Sequence, residues 1–266
     1  MIDLFFLLKE EIKRNIIMRK RYAIEYIAGL ILMYGVFIGM FAGLSHIKML
    51  SDEKIGPYLM IGYLMWQIFG WVTIEGIADE LGDESILGTI QQIYISSFKI
   101  MDVLLCRTLA KFILGSGELM IMLLAIFLTT GEFLYITRIS VIIPFVLTLM
   151  GLYGFGLSLA GLNLVFKRVR NITEIITWAL FFLAGVMIPL EFFPPIIQFI
   201  GKTLPLTQGI EVLRTMIIEQ KSLIFTLHQG DLFLLMINSG VYLLLGIYIF
   251  KIAEKIALRR GIIGYF

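Results

Sequence analysis

Gly201-Lys202-Thr203 reads like the end of a phosphate-binding loop, where backbone N–H groups and a lysine cradle phosphates. That motif requires a glycine five positions before Gly201, and Ile196 stands there. The match is accidental, and nucleotide binding through a P-loop is not expected. The two histidines, His46 and His228, are far apart and show no metal-ligand spacing such as H-E-x-x-H. Ser116 follows Leu114-Gly115, whereas a serine nucleophile would want glycine at position 114. No catalytic residue, metal or bound cofactor is therefore expected. Two ionisable groups remain inside an apolar stretch, Lys111 and Glu118. Such groups default to a functional reading in a membrane. Here they read as a pair two turns apart, bridged by water or a neighbouring helix, or else Glu118 faces a hydrophilic path.

The elements that must position these residues follow from composition. Of 266 residues, 59% are hydrophobic and 16% charged, with a mean hydropathy of +0.93. A soluble domain would carry about 25% charged residues. Apolar windows of about 20 residues recur along the chain, and their continuity selects helices over a barrel. The fold class is all-α and polytopic. Spans are expected near 23–44, 56–77, 104–129, 140–166, 172–190 and 232–252. With both ends on the cytoplasmic side, 16 of the 22 Lys and Arg residues fall on interior segments and six outside. That asymmetry fits the positive-inside pattern. The lone Cys106 excludes an intrachain disulfide.

Residues 1–22 are too charged to span. Leu4, Leu7, Leu8, Ile12 and Ile16 recur at helical spacing opposite Lys9, Glu10, Lys13, Arg14 and Lys20. This is an amphipathic helix suited to the membrane interface. No apolar core with a small-residue cleavage site follows it, so a cleaved leader is not expected. Between the second and third spans lies a polar segment, 79–95, read as one amphipathic helix from Asp79 to Tyr94. It would offer a handle to a soluble partner. Residues 191–231 contain Pro194, Pro195 and Pro205 and are too broken to span; they read as short helices re-entering the outer leaflet.

Gly35, Gly39 and Gly43 fall four apart on the first span, which allows close helix packing within the chain or between subunits. Gly151, Gly154, Gly156 and Gly161 read the same way on the fourth. Trp66 and Trp178 lie too far inward for pure interfacial anchors.

The whole chain, 1–266, resembles a single membrane domain of the ABC-2 class of ABC-exporter permeases. Glu84 followed by Gly88-Thr89-Ile90-Gln91-Gln92-Ile93 is similar to the family's acidic stretch and G-T-L-E-x-L pattern. Gly185-Val186-Met187-Ile188-Pro189-Leu190, with Phe193-Pro194 and Leu204-Pro205-Leu206-Thr207, resembles its fifth-span end and outer hairpin. Gln91 replaces the usual Glu, and Ser96-Ser97 replaces a Thr-Pro. The resemblance implies two permease subunits, identical or paralogous, above two separate ATPase subunits that bind ATP and Mg. It makes 79–95 a coupling helix, with Glu84, Gly88, Thr89 and Gln91, joined by Lys167 and Arg168, at the ATPase contact. Substrate-path candidates are Trp66, Glu118, Trp178 and Phe182. Outer-gate candidates are Pro189, Phe193, Pro194 and Pro205. The exported cargo would be an amphipathic or lipid-linked drug, antibiotic, glycan or lipid. The membrane would be a bacterial plasma membrane, and nucleic acid is not an expected partner. The alternative reading is a secondary carrier or scaffold that works without an ATPase.

Overall fold

The computed structural model describes residues 2–45, 52–166 and 170–260, and among these every regular element is helical. The amphipathic start forms α1 (Ile2–Arg21), and α2 (Ala23–Ser45) follows after Tyr22 alone. Next come α3 (Asp52–Phe69), a π-helical segment (Gly70–Asp79), α4 (Glu80–Leu87) and α5 (Ile90–Ile95). The longest helix is α6 (Ile100–Thr130), followed by α7 (Ile142–Val165) and α8 (Arg170–Leu183). Three short helices, α9 (Pro195–Thr203), α10 (Pro205–Ile217) and α11 (Leu223–Gln229), precede α12 (Asp231–Arg259). Four helices (α2, α6, α7 and α12) are long and apolar enough to cross a bilayer. The protein is a helical membrane protein.

The remaining two expected spans depart from regular helix. Residues 56–77 fall on α3 and the π segment. Phe69 and Glu80, at the segment's two ends, keep helical dihedrals. α3, the π segment and α4 thus form one continuous helical rod. The polar handle is not a separate helix, as the sequence suggested, but the extension of this rod. It ends at Gly88, whose φ of 75° is left-handed and closes α4. Glycine adopts that conformation without the penalty a Cβ imposes. The single helix expected over 79–95 is therefore two, α4 and α5. In the fifth region, α8 has 14 residues, about 21 Å at 1.5 Å per residue, against about 30 Å of hydrocarbon. It stops before Gly185, another left-handed glycine (φ 72°).

Two large cores hold the bundle, with a smaller third of Val212, Met216, Leu232 and Leu235 between α10 and α12. One joins Phe37, Leu59, Phe69, Ile126, Leu152 and Ile210. The other buries Leu81, Ile90 and Ile93 of α4 and α5 against Leu104, Leu157 and Phe250 of α6, α7 and α12. Helices α7 and α12 approach until backbone meets backbone: a Cβ on Gly246 would overlap the Gly154 carbonyl, and one on Gly154 would overlap Tyr242 and Leu243. Gly151 similarly admits Pro205, Gly156 admits Ile77, and Gly161 admits Ala253. The glycine row on α2 behaves differently. A Cβ on Gly35, Gly39 or Gly43 would meet nothing within 4 Å, so this face packs against no described part of its own chain.

Candidate functional site

The acidic run Asp79, Glu80, Asp83, Glu84 contains no cation of its own. In the structure Glu80 and Glu84 are met by cations from two other helices. Glu80 and Glu84 lie four apart on one face of α4, and Arg107 and Lys111 lie four apart on one face of α6. Residues at that spacing are stacked neighbours on a helix. The two ladders face each other in antiparallel register.

Arg107 is the centre. Its Nη1 and Nη2 donate to both Glu84 oxygens, at 2.9 and 2.7 Å. Its Nε donates to Glu11 of α1 at 3.1 Å and lies 3.4 Å from Glu80. Lys111 reaches Glu80 at 3.1 Å and donates to the Glu75 carbonyl at 2.9 Å. Arg14 on α1 bridges Glu11 at 3.2 Å and Glu80 at 3.5 Å. Side-chain exposure is 6% for Arg107, 9% for Glu11 and 15% for Glu84, so the junction is nearly dry. Burial alone would raise the Glu80 carboxyl; Lys111, Arg107 and Arg14 together outweigh it and hold the group below the usual carboxylate value. Charged groups taken from water stay ionised only when paired in this way.

The junction fixes α1 along α6. Leu4 accepts from the Cys106 thiol at 3.7 Å, Glu11 meets Arg107, and Arg19 donates to the Leu114 carbonyl at 3.2 Å. These contacts step forward together, so α1 runs in the same direction as the first half of α6. α5 is tied separately: Tyr94 donates to Glu254 of α12 at 3.2 Å, and burial together with that carboxylate raises the phenol above its usual value. Asn163 of α7 donates to the Ala78 carbonyl at 2.8 Å. These separate ties together connect the π segment, α4 and α5 to α1, α6, α7 and α12.

The sequence candidates distribute unevenly over this frame. Glu84 is turned inward onto Arg107 instead of outward to a partner. Gly88 forms the turn, Thr89 and Gln92 are exposed, Gln91 is half-buried, and Ile95 is 84% exposed. Lys167 and Arg168 lie outside the described residues. The expected pairing of Lys111 with Glu118 is replaced. Lys111 serves Glu80, and Glu118 pairs with Arg19, because α1 brings Arg19 closer than a residue two turns away on the same helix.

Trp66, Trp178 and Phe182 are brought together through Phe181, with ring centroids 5.0, 6.1 and 5.3 Å from it. Trp178 is 62% exposed, on an outer apolar face of α8. Glu118 belongs instead to a cleft that includes none of these three rings. Of the gate candidates, Pro189 precedes a 3₁₀ turn over Leu190–Phe192, and Phe193 and Pro194 lead into α9. Only Pro205, at the start of α10, is buried.

Sequence reasoning passed over Arg107, Glu11 and Arg214. Arg214 is buried, and it donates to the carbonyls of Tyr58 (3.0 Å), Gly185 (2.7 Å) and Val186 (2.9 Å) while lying 3.4 Å over the Tyr58 ring. It fastens α10 to α3 and to the turn after α8. Gly62 leaves the room, since a Cβ there would stand 2.6 Å from Arg214 Nη2. One signal for Arg107 was available: an acidic run with no internal cation needs cations from elsewhere.

Fold and junction define a helical membrane protein whose polar, helix-turn-helix end is bolted to its spanning helices. No family model matches the chain, and no curated protein matches it in sequence.

Proposed function

We propose that this chain is the membrane permease subunit of an ATP-driven exporter of the ABC-2 class, working beside separate ATPase subunits. The observation that carries the reading is the Arg107 junction. A pathway driven by a soluble motor needs a surface the motor can push and a stiff connection from that surface to the spanning helices. The exposed Thr89, Gln92 and Ile95 at the α4–α5 turn provide the surface. The salt-bridged Glu84, Glu80, Glu11 and Arg107 provide the connection to α6 and α1.

In this mechanism the ATPase pair closes on the α4–α5 turn. The push travels up the continuous α3–α4 rod and through Arg107 into α6 and α1, shifting a two-state equilibrium between inward- and outward-open bundles. Glu84 transmits the load inside the permease, and the ATPase contact moves to the turn itself. In the six-span reading, α3 with its π segment and α8 with the turn after it complete the four long spans. Helices α9 and α10 form the re-entrant outer hairpin, fastened by Arg214. The chain ends lie in the cytoplasm of a bacterial cell. Two unfilled apolar faces, the α2 glycine row and the Ile175–Trp178–Phe182 face of α8, suit a second permease subunit.

The test is co-purification of an ATPase from cells expressing the chain with its neighbouring genes. Retention by the wild type and loss with Thr89→Arg/Gln92→Arg supports the reading. A chain that purifies with no hydrolase, or a hydrolase indifferent to both changes, overturns it.

A further inference from the structure

The cleft that holds Glu118 is separate from the Arg107 junction. It lies where α1 meets α2, against the π-helical segment and α6, and encloses about 470 Å³. Three carboxylates, Glu25, Glu75 and Glu118, stand on its wall against one guanidinium, Arg19. Arg19 is already committed to Glu118. Lys111 comes only within 3.9 Å of Glu75 and is closer to Glu80, at 3.1 Å. The wall therefore keeps an excess of negative charge, since Glu75 shares Lys111 with Glu80 and Glu25 has no ion pair among the described residues.

Tyr22 and Tyr26 are partly exposed on the same wall; Arg19 already lies over the Tyr26 ring, 5.3 Å from its centroid, which leaves the Tyr22 ring for a ligand. Aromatic faces beside carboxylates attract a positively charged nitrogen through both the ring quadrupole and the full charge. Met18, Leu30 and Met33 continue the wall as an apolar strip. One donor is left over: the Nε of Arg19 is buried and has no hydrogen-bond partner among the described residues. That atom is closed off from the cleft, but the side chain as a whole is 22% exposed on the cleft wall and offers its positive charge to an anionic group. The wall is shaped by the π segment, which carries Trp71 and Glu75 into the cleft. Gly115 opposite has only a hydrogen where a Cβ would stand 2.5 Å from the Trp71 ring. π-helical turns of this kind concentrate at functional sites.

We propose that this cleft binds the head of an amine-bearing amphiphile: an ammonium between Glu25 and Glu75 beside the Tyr22 ring, an anionic oxygen on the accessible part of the Arg19 guanidinium, and an acyl or alkyl tail along the methionine–leucine strip. The shared chemistry is a zwitterionic or cationic head on an apolar tail, and its source is either an aminophospholipid of the surrounding bilayer or a free amphiphilic amine. Binding needs no ATPase and stands apart from the permease reading. Naming the bound amphiphile as exported cargo rests on that reading.

The experiment uses the full chain in phosphatidylglycerol nanodiscs. Native mass spectrometry counts bound short-chain phosphatidylethanolamine, phosphatidylglycerol of the same chain length, and dodecylamine. Phosphatidylethanolamine is expected to bind at least about tenfold more tightly than phosphatidylglycerol. The doubly neutralised Glu25→Gln/Glu75→Gln chain, altered only at solvent-reachable carboxylates, is expected to lose that tenfold, the order of one charge-assisted contact. Dodecylamine binding more weakly than phosphatidylethanolamine supports the role of Arg19 as donor to the anionic oxygen and a lipid source. Equal affinity for the two overturns the donor role of Arg19 and assigns the cleft to free amines. Equal binding of the two lipids, or no change in the double variant, overturns the site altogether. Stimulation of ATP hydrolysis by phosphatidylethanolamine in the assembled complex is the separate readout for cargo.

Discussion

Removing one partner of a buried ion pair leaves a charge stranded, and at the Arg107 junction the two possible removals differ. Glu84→Gln removes the charge and one of the two oxygens that accept from Arg107 at 2.7 and 2.9 Å, but leaves Arg107 facing Glu11 at 3.1 Å and Glu80 at 3.4 Å. The guanidinium stays partly compensated, and the expected cost is about 2 kcal/mol, within the range for hydrogen bonds to charged groups. Arg107→Met instead leaves Glu11, Glu80 and Glu84 crowded together with Arg14 and Lys111 as their remaining cations. That variant is expected to cost about 3–5 kcal/mol, the range for breaking a buried pair. It also removes the anchor of α1, so α1 should become open to proteolysis. The assay is a denaturant titration of the purified chain followed by tryptophan fluorescence, paired with limited proteolysis near Lys9 and Lys13. The double variant closes a thermodynamic cycle, and its cost should fall short of the sum of the singles. Arg107→Met within about 0.5 kcal/mol of wild type, the usual range of neutral surface changes, with α1 still protected, would refute the reasoning.

Other consequences follow from the same geometry. Gly88→Val forces a β-branched residue to φ 75°, which should cost about 1–3 kcal/mol locally; under the proposed function, pull-down of a partner ATPase should fall while the bundle stays folded. Gly246→Ala drives a methyl into the Gly154 carbonyl; overpacking here should cost about 1–3 kcal/mol or more, read as a lower unfolding midpoint, with Gly240→Ala, which meets nothing within 4 Å, as the silent control. Because Glu80 titrates below its usual value, its contribution is complete above the unfolded-chain value of about 4.3 and is lost only as the pH falls through the lower folded value. Unfolding titrations from pH 6 to pH 3 should therefore show a steeper late loss in wild type than in Glu80→Gln.

Much of the architecture was legible because lipid imposes simple rules on sequence. Continuous apolar runs placed α2 and α7 to within two residues and located α6 and α12, whose helices run on four and seven residues beyond the expected spans, and the glycines of α7 announced its close neighbour. What escaped was decided by packing between distant segments. No local signal distinguishes a π-helical segment from an ordinary turn over Gly70–Asp79, since the widening depends on Trp71 fitting over Gly115. The acidic run at 79–84 looked like an outward handle, because a sequence shows charge without showing where its partners are. Arg107, 23 residues further on, turns Glu84 inward. Lys111 and Glu118 looked paired from their spacing alone, yet each found a closer partner once α1 and α4 were in place. Gly35, Gly39 and Gly43 were visible as a small-residue face, but only the folded chain leaves that face without a neighbour.

The central claim is that the α4–α5 turn is pushed by a separate ATPase and that the Arg107 junction carries the push. Its most direct test places cysteines at Thr89 and Gln92, crosslinks them in membranes containing the neighbouring gene products, and measures ATP hydrolysis and cargo export in the same preparation. The account predicts a nucleotide-dependent crosslink to a hydrolase, and in Arg107→Met a crosslink that persists while hydrolysis no longer drives export. Export that continues normally in Arg107→Met, or a turn that crosslinks to no hydrolase in any nucleotide state, would contradict it.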